Sequence, residues 1–197
     1  MQKSTLAVGV MAAFAMTAAT ATSAFAQARH AAPAPAVAAA ASHAAAAPLD
    51  DATIVAIFDA ANTWDINLGQ LALKKSQNKD VRTFADMMVR DHSAARQLGR
   101  DLATKLKVTP TPPGKDFALY KDYVATTAKL NGLKGAAFDK AYIAHEAWYH
   151  QAVIDAVTTT LLPATKNAEL KDLEVKVAPN FQAHLASAKD IQQKLAK

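Results

Sequence analysis

The sequence predicts an all-α fold, and three observations carry this prediction. From residue 51 onward the apolar residues recur at intervals of three and four rather than alternating, as in amphipathic helices. Six glycines, eight prolines and 7% aromatic residues are too few for the many turns of a β-sandwich or barrel. The chain has no cysteine, which excludes disulfide scaffolds, thiol nucleophiles and cysteine-ligated metals. Any bound metal must therefore be held by histidine and carboxylate.

The N-terminal segment, residues 1–26, is predicted to be an export signal. It begins with the cation Lys3, continues with an uncharged run over 6–21 and ends in Ser-Ala-Phe-Ala. This three-part layout is typical of a secretory signal with an Ala-x-Ala cleavage site. The alternative is an uncleaved membrane anchor, for which the run is long enough but rich in Ala, Thr, Ser and Gly. We expect a mature chain in the periplasm or cell envelope, without a transmembrane segment, that starts near Gln27.

Residues 27–48 are predicted to be a disordered spacer, and residues 49–197 a single folded domain. The spacer is mostly alanine, contains Pro33 and Pro35, and has no amphipathic pattern with which to pack. The remaining length is near the usual size of one domain.

The charge balance does not indicate nucleic-acid binding. The chain has 22 Lys and Arg against 17 Asp and Glu, and without Lys3 and Arg29, which precede the folded part, 20 remain against 17. So small an excess does not make the basic surface that nucleic acids require.

One short and four long helices are predicted in the folded part. They span 51–76, 79–107, 116–130, 136–162 and 167–196. Asn78 marks the first turn, and the proline-rich segment 108–114 ends the first pair of helices because proline cannot continue the backbone ladder. Pro163 stops the third long helix for the same reason. Pro179 lies inside the fourth, where we expect a kink.

A polar residue interrupts the apolar stripe of each long helix near its middle. The interrupting residues are Asp65, His92, His150 and His184, with Glu146 as a second interruption in the third long helix. The midpoints of packed antiparallel helices lie close together, so these side chains are predicted to form one layer in the core. A buried carboxylate or imidazole without a partner costs several kcal/mol, so each should contact another, a water or a metal.

Neutral imidazoles with a carboxylate suit Zn, Cu or Fe rather than Ca or Mg. The leading interpretation is a site for one such ion, held by the three histidines, with Asp65 or Glu146 completing the shell. Asp91 and Glu146 are also candidates to accept a hydrogen bond from the other ring nitrogen of a ligating histidine. The alternative is that each histidine is a satisfied core residue without a ligand.

Four segments also carry a resemblance to a known family. They are 64–72 (WDINLGQLA), 81–92 (VRTFADMMVRDH), 135–142 (GAAFDKAY) leading to His150, and 178–185 (APNFQAHL). In this order and with these gaps they resemble the bacterial ferritin-like domain of unknown function 4142. Members of that family are exported and are often labelled membrane or outer-membrane proteins, and they have no established activity.

The resemblance implies a ferritin-like antiparallel four-helix bundle, with a long crossover at 108–135 that contains the short helix. It carries the three histidines over onto matching positions. Where the family usually has Glu in the first helix, this chain has Asp65, one methylene shorter. Di-iron bundles of the wider superfamily use Glu-x-x-His on two helices, whereas here Glu146 precedes His150 by four. A mononuclear site is therefore favoured over a di-iron centre.

Two functions follow as hypotheses. The first is an exported bundle that binds one transition metal, in a binding or stress-related role. The second is a metal-free structural or interaction module, with an envelope protein or a second copy of the chain as its partner. An enzyme is not favoured, because the chain has no di-iron motif, no recognisable Ser-His-Asp arrangement and no phosphate-binding glycine loop.

Overall fold

A computed structural model describes residues 49–111 and 117–197. The predicted export signal at 1–26 lies outside the described residues, as does the predicted spacer at 27–48. Secondary structure within the described ranges is helical only, so the predicted all-α class is confirmed. In these two ranges no helix is long and apolar enough to cross a membrane.

Four long helices account for most of the described chain. The elements are α1 Asp51–Lys75, α2 Lys79–Leu106, α3 Ala118–Gly132, α4 Gly135–Ala156, a π-helical segment Val157–Leu161, the single turn α5 Leu162–Ala164, and α6 Ala168–Leu195. Pro179 lies inside α6, and the helix continues through it.

The predicted third long helix differs from the structure near its end, where α-helix changes to π-helix at Val157. Two causes are visible in the sequence. The hydroxyls of Thr158 and Thr159 donate to carbonyl oxygens of the preceding turn, which competes with regular helical bonding. Pro163 has no backbone N–H to give to the carbonyl four residues earlier. The segment therefore widens before the chain turns.

Side-chain caps fix where three of the long helices start. Asp50, Asn78 and Asn167 each accept a hydrogen bond from backbone N–H groups in the first turn of α1, α2 and α6. A fixed start also fixes which residues face inward further along each helix. At the other end of α2, Lys107 adopts a left-handed conformation with φ of 54° and closes the helix before the proline-rich segment.

The long helices pack in a closed cycle. α1 packs on α2, α2 on α6, α6 on α4, and α4 on α1, while α3 contacts α1 and α4. The middle of every long helix therefore faces a shared interior.

The interior divides into two parts, one on each side of the middle. The "packed half" is one continuous cluster formed by Leu68, Ala72, Val81, Phe84, Ala85, Met88, Leu130, Phe138, Tyr142, Ile143, Ala147, Ala188 and Ile191. The "cavity half" consists of three smaller clusters formed by Ile54, Val55, Trp64, Ala95, Ala103, Tyr149, Val153, Leu170, Leu173, Val177 and Phe181. A cavity of about 150 Å³ lies within this second half.

Candidate metal centre

The polar layer predicted from the sequence lies between the two halves of the core. Its side chains are almost fully buried: the exposed fractions are 3% for Asp65, 1% for His92, 0% for Glu146, 1% for His150 and 3% for His184. They come from α1, α2, α4 and α6, so every long helix contributes at least one residue.

The three histidines form a nearly equilateral triangle. The ring centroids are 5.2 Å apart for His92 and His184, 5.3 Å for His150 and His184, and 5.5 Å for His92 and His150. One candidate ligand atom from each histidine lies within 4.8 Å of those of the other two. The ring of Phe181 lies 5.7 Å from that of His92 and forms an apolar wall beside the triangle. Three imidazoles from three helices therefore lie close together in the core.

His92 is oriented by Asn62 of α1. The Asn62 amide donates through Nδ2 to the carbonyl of Phe58 at 2.8 Å, so its Oδ1 must be the atom that faces His92 Nδ1 at 2.9 Å. An amide oxygen only accepts, so Nδ1 of His92 carries the proton and Nε2 keeps its lone pair. Asn62 was not predicted from the sequence, although its position three residues before Asp65 places it on the same face of α1.

The other two histidines are oriented in the same way by other acceptors. Nδ1 of His150 donates to the backbone carbonyl of Glu146 at 3.0 Å, and Nε2 of His184 donates to the carboxylate of Asp91 at 3.1 Å. A bidentate contact with Arg90, at 2.7 and 3.1 Å, lowers the pKa of Asp91 and keeps it an acceptor. Asp91 therefore takes the partner role that its position in the sequence suggested.

The remaining ring nitrogens all have free lone pairs. Within the described part of the chain, Nε2 of His92, Nε2 of His150 and Nδ1 of His184 have no hydrogen-bond partner. Burial lowers the pKa of each ring, and the neighbouring histidines lower the pKa of His92 and His150 further, the latter to about 3. The triangle is therefore neutral, which is the form of histidine that binds metal ions.

Asp65 and Glu146 form a second group with His150, in which one candidate ligand atom from each residue lies within 4.8 Å of the others. Burial raises the pKa of both carboxyl groups, and the charge of Asp65 raises that of Glu146 further. Oδ1 of Asp65 and both side-chain oxygens of Glu146 lack a hydrogen-bond partner among the described residues. A cation next to two buried carboxyl groups without partners would stabilise their ionised forms.

Comparison with known proteins gives one family. The family described as a domain of unknown function, DUF4142, matches residues 34–191. The chain belongs to this family. A solved structure titled "CopM in the Cu(II)-bound form" superposes on this DUF4142 chain with a TM-score of 0.57 and 16% sequence identity, over 74% of this chain and 98% of that one. The two proteins share the helical fold. No curated protein sequence matches the chain significantly.

Two tyrosines of this DUF4142 domain, missed in the sequence, border the carboxyl pair. Burial and the negative charges of Asp65 and Glu146 raise the pKa of Tyr142 and Tyr149. Tyr142 belongs to the packed half and Tyr149 to the cavity half. Tyr142 lies four residues before Glu146 and therefore shares a helical face with that predicted site residue. Tyr149 lies one residue before His150 and does not share its face.

His145, which is half-buried, is the one histidine of the described residues that lies outside the layer. Its Nδ1 lies 3.3 Å from the hydroxyl of Thr126 and 3.6 Å from the carboxylate of Asp122, on the side of α4 that faces α3. It belongs to neither candidate ligand group. His145 therefore provides an internal control for the other three.

Proposed function

We propose that this protein binds one transition-metal ion in its core through His92, His150 and His184. The observation that carries the proposal is the division of roles within each ring. One nitrogen is hydrogen-bonded to a protein oxygen and the other keeps a free lone pair, and one ring nitrogen of each histidine lies within 4.8 Å of those of the other two. Ligating histidines in metal sites are held in this way, with the outer nitrogen fixing the tautomer and the orientation of the ring.

The carboxyl pair completes the proposed site. Asp65 or Glu146 supplies a fourth ligand, and three neutral imidazoles with one carboxylate suit Zn, Cu or Fe. An ion beside the pair would also compensate the burial of negative charge that raises the pKa of both groups. The ligand set and the buried charge therefore favour the same occupant.

Copper is the first ion to test. The structural neighbour CopM was solved in a Cu(II)-bound form. The similarity to that protein concerns the fold alone. The three imidazoles, which suit Zn, Cu or Fe, support a transition metal, and the neighbour only sets the order in which the ions are tested.

The fold inferred for this binding role is a ferritin-like antiparallel four-helix bundle. The packed half draws on the C-terminal parts of α1 and α6 and the N-terminal parts of α2 and α4. Antiparallel neighbours would produce this alternation. The crossover predicted over 108–135 would connect α2 to α4 and contain α3. Export to the periplasm or envelope is inferred from the composition of residues 1–26.

The test is the number of metal ions bound per chain. The full protein, with His30 and His43 of the N-terminal region replaced by alanine, is dialysed against Cu(II), Zn(II) or Fe(II) and analysed for bound metal. We expect one ion per chain. His92→Ala or His184→Ala should weaken binding more than about 100-fold, and Asn62→Ala, which removes only an orienting acceptor, about 10- to 100-fold. The matched control His145→Ala should bind as the parent does.

The metal-free structural module is the competing function, and one observation favours it: each histidine of the triangle already has one hydrogen bond within the protein. It predicts that none of the three ions raises the melting temperature. Metal binding that is absent in the parent protein, or equally strong after His92→Ala and His145→Ala, would reject the proposed centre.

A further inference from the structure

The cavity of about 150 Å³ in the cavity half is bounded by α1, α4 and α6 and by Phe117 and Leu119 of the crossover. Most of its wall is apolar, with Ile54, Ile57, Val153 and Val177 among the aliphatic residues. Four aromatic rings also border it, from Phe58, Phe117, Tyr149 and Phe181. A cavity of this volume with aliphatic and aromatic walls can accept a molecule as large as benzene.

One end of the cavity is polar and offers acceptors. Asn62, Asp65, His92 and His150 line it there. The ring nitrogens of these two histidines that lack a partner carry lone pairs, because their other nitrogens donate to protein oxygens. A ligand that presents a hydrogen-bond donor at this end would satisfy an atom that has no partner in the described part of the protein.

The charge of the wall restricts the ligand further. None of the described residues that line the cavity is Lys or Arg, and its acidic members are Asp65 and Glu174. An anion would lie against carboxyl groups without a compensating cation, and burying it there would cost several kcal/mol. The wall therefore favours an uncharged molecule.

The π-helical segment contributes three residues to the cavity wall. Val157, Thr160 and Leu161 line the cavity, and Thr160 is exposed while the other two are half-buried. Short π-helical segments inside α-helices occur frequently at functional sites. Here the segment lies between the cavity and the solvent.

We propose that this cavity binds a small uncharged phenol, with the aromatic ring among Phe58, Tyr149 and Phe181 and the hydroxyl at the polar end. The ring fits the size and lining of the wall, since aromatic pairs add attraction beyond the area they bury. The hydroxyl donates to a lone pair on His92 or His150, or to the carboxyl of Asp65. The proposal goes beyond the metal-binding function and does not rest on it, because the metal-free protein already has the cavity and the acceptors.

The test is calorimetric titration of the full, chelator-treated protein with phenol. Val177→Phe fills the cavity from α6, and Val175→Phe makes the same substitution at a position of the same helix that is 56% exposed and lies outside the cavity wall. We expect saturable binding of one phenol per chain, at least 10-fold weaker in Val177→Phe and unchanged in Val175→Phe. If Val177→Phe does not fold, Ile57→Phe fills the cavity from α1.

Two further probes test the polar end. Benzene, which lacks the hydroxyl, should bind several-fold more weakly than phenol, and benzoate, which is an anion, should not bind measurably. Phenol binding unchanged in a folded cavity-filling variant would overturn the site. Benzene binding as tight as phenol, or benzoate binding, would overturn the assigned ligand class. These outcomes are independent of metal stoichiometry, so failure here and failure of the metal centre can be told apart.

Discussion

The packed half and the cavity half are built from the same four helices, yet they fill their interiors differently. The packed half is one continuous cluster in which Ala72, Val81, Phe138 and Ile143 are fully buried. The cavity half consists of three separate clusters around about 150 Å³ of unfilled volume. Close packing is the norm in protein interiors, so the looser half is the exception that a function would explain.

The polar layer has a different neighbour on each side. Asp65, His92 and His150 line the cavity, whereas Glu146 and His184 do not. Tyr142, four residues before Glu146 on the same face of α4, belongs to the packed half. The two halves therefore differ in what they provide to the layer. Tight packing holds the candidate ligands in place on one side, and the cavity gives access to them on the other. A binding site needs both, because ligands must be positioned rigidly and still be reachable.

The largest expected difference between the halves is the cost of the same core truncation. Ile143 in the packed half and Ile54 in the cavity half are 0% and 1% exposed. Ile→Ala lowers the free energy of unfolding by about 2 to 5 kcal/mol in protein cores. The loss is greater where the removed atoms were in contact with neighbours on all sides. We expect Ile143→Ala to fall near the upper end and Ile54→Ala near the lower, because Ile54 already borders a void. Urea unfolding of both variants measures the difference.

Equal losses of unfolding free energy in the two isoleucine variants would contradict the comparison. The unfolding slope against urea should stay the same in both, because a changed slope would mean that the variants no longer unfold between the same two states.

A smaller difference is expected where α1 and α2 approach each other at glycines. A Cβ at Gly69 would lie 3.0 Å from the backbone oxygen of Ala85, which belongs to the packed half. A Cβ at Gly99 would lie 2.7 Å from the ring of Phe58, a side chain that borders the cavity. We expect Gly69→Ala to destabilise by about 1 to 3 kcal/mol. For Gly99→Ala, the gain of about 1 kcal/mol in helix propensity should largely offset the movement of the ring.

Thermal unfolding of the two glycine variants checks this expectation. A larger loss for Gly99→Ala than for Gly69→Ala would show that the Phe58 ring cannot use the neighbouring space.

Much of the fold could be predicted because its determinants are local. Asn78 ends up as the cap of α2, next to the predicted turn, because its side chain bonds the first N–H groups of that helix. The proline-rich segment after α2 breaks the helix regardless of the rest of the protein. The π-helical segment could not be predicted in the same way, because the hydroxyls of Thr158 and Thr159 can bond the backbone without changing the helix type.

The candidate site was predictable in its composition but not in its orientation. Depth along each helix and phase around it depend on residue number, so Asp65, His92 and His184 could be placed in one layer from the sequence. Which ring nitrogen keeps its lone pair depends on the hydrogen-bond partner of the other one, such as Asn62 of α1 for His92. The cavity could not be predicted from the sequence, because its volume depends on the space that the side chains of several helices leave unfilled.

The smallest expected effect concerns a carboxyl group that lines the cavity away from the histidines. Glu174 is buried, and its two carboxyl oxygens lie 3.0 and 3.2 Å from the hydroxyl oxygen of Thr165. Burial raises the pKa of Glu174, although the bond from Thr165 and the charge of Lys171 act in the opposite direction. The folded state therefore holds this proton more tightly than the unfolded state, in which the pKa is near 4.5.

The sign of the pH dependence follows from that difference. As pH rises above about 4.5 the unfolded state loses the proton first, so the contribution of Glu174 to stability falls until the folded form is ionised as well. Glu174→Gln, which cannot ionise, should lose less stability than the parent between pH 4.5 and 7. Urea unfolding of both proteins at the two pH values measures this. Identical losses in the two proteins would mean that the cavity wall near Glu174 is as well hydrated as the surface.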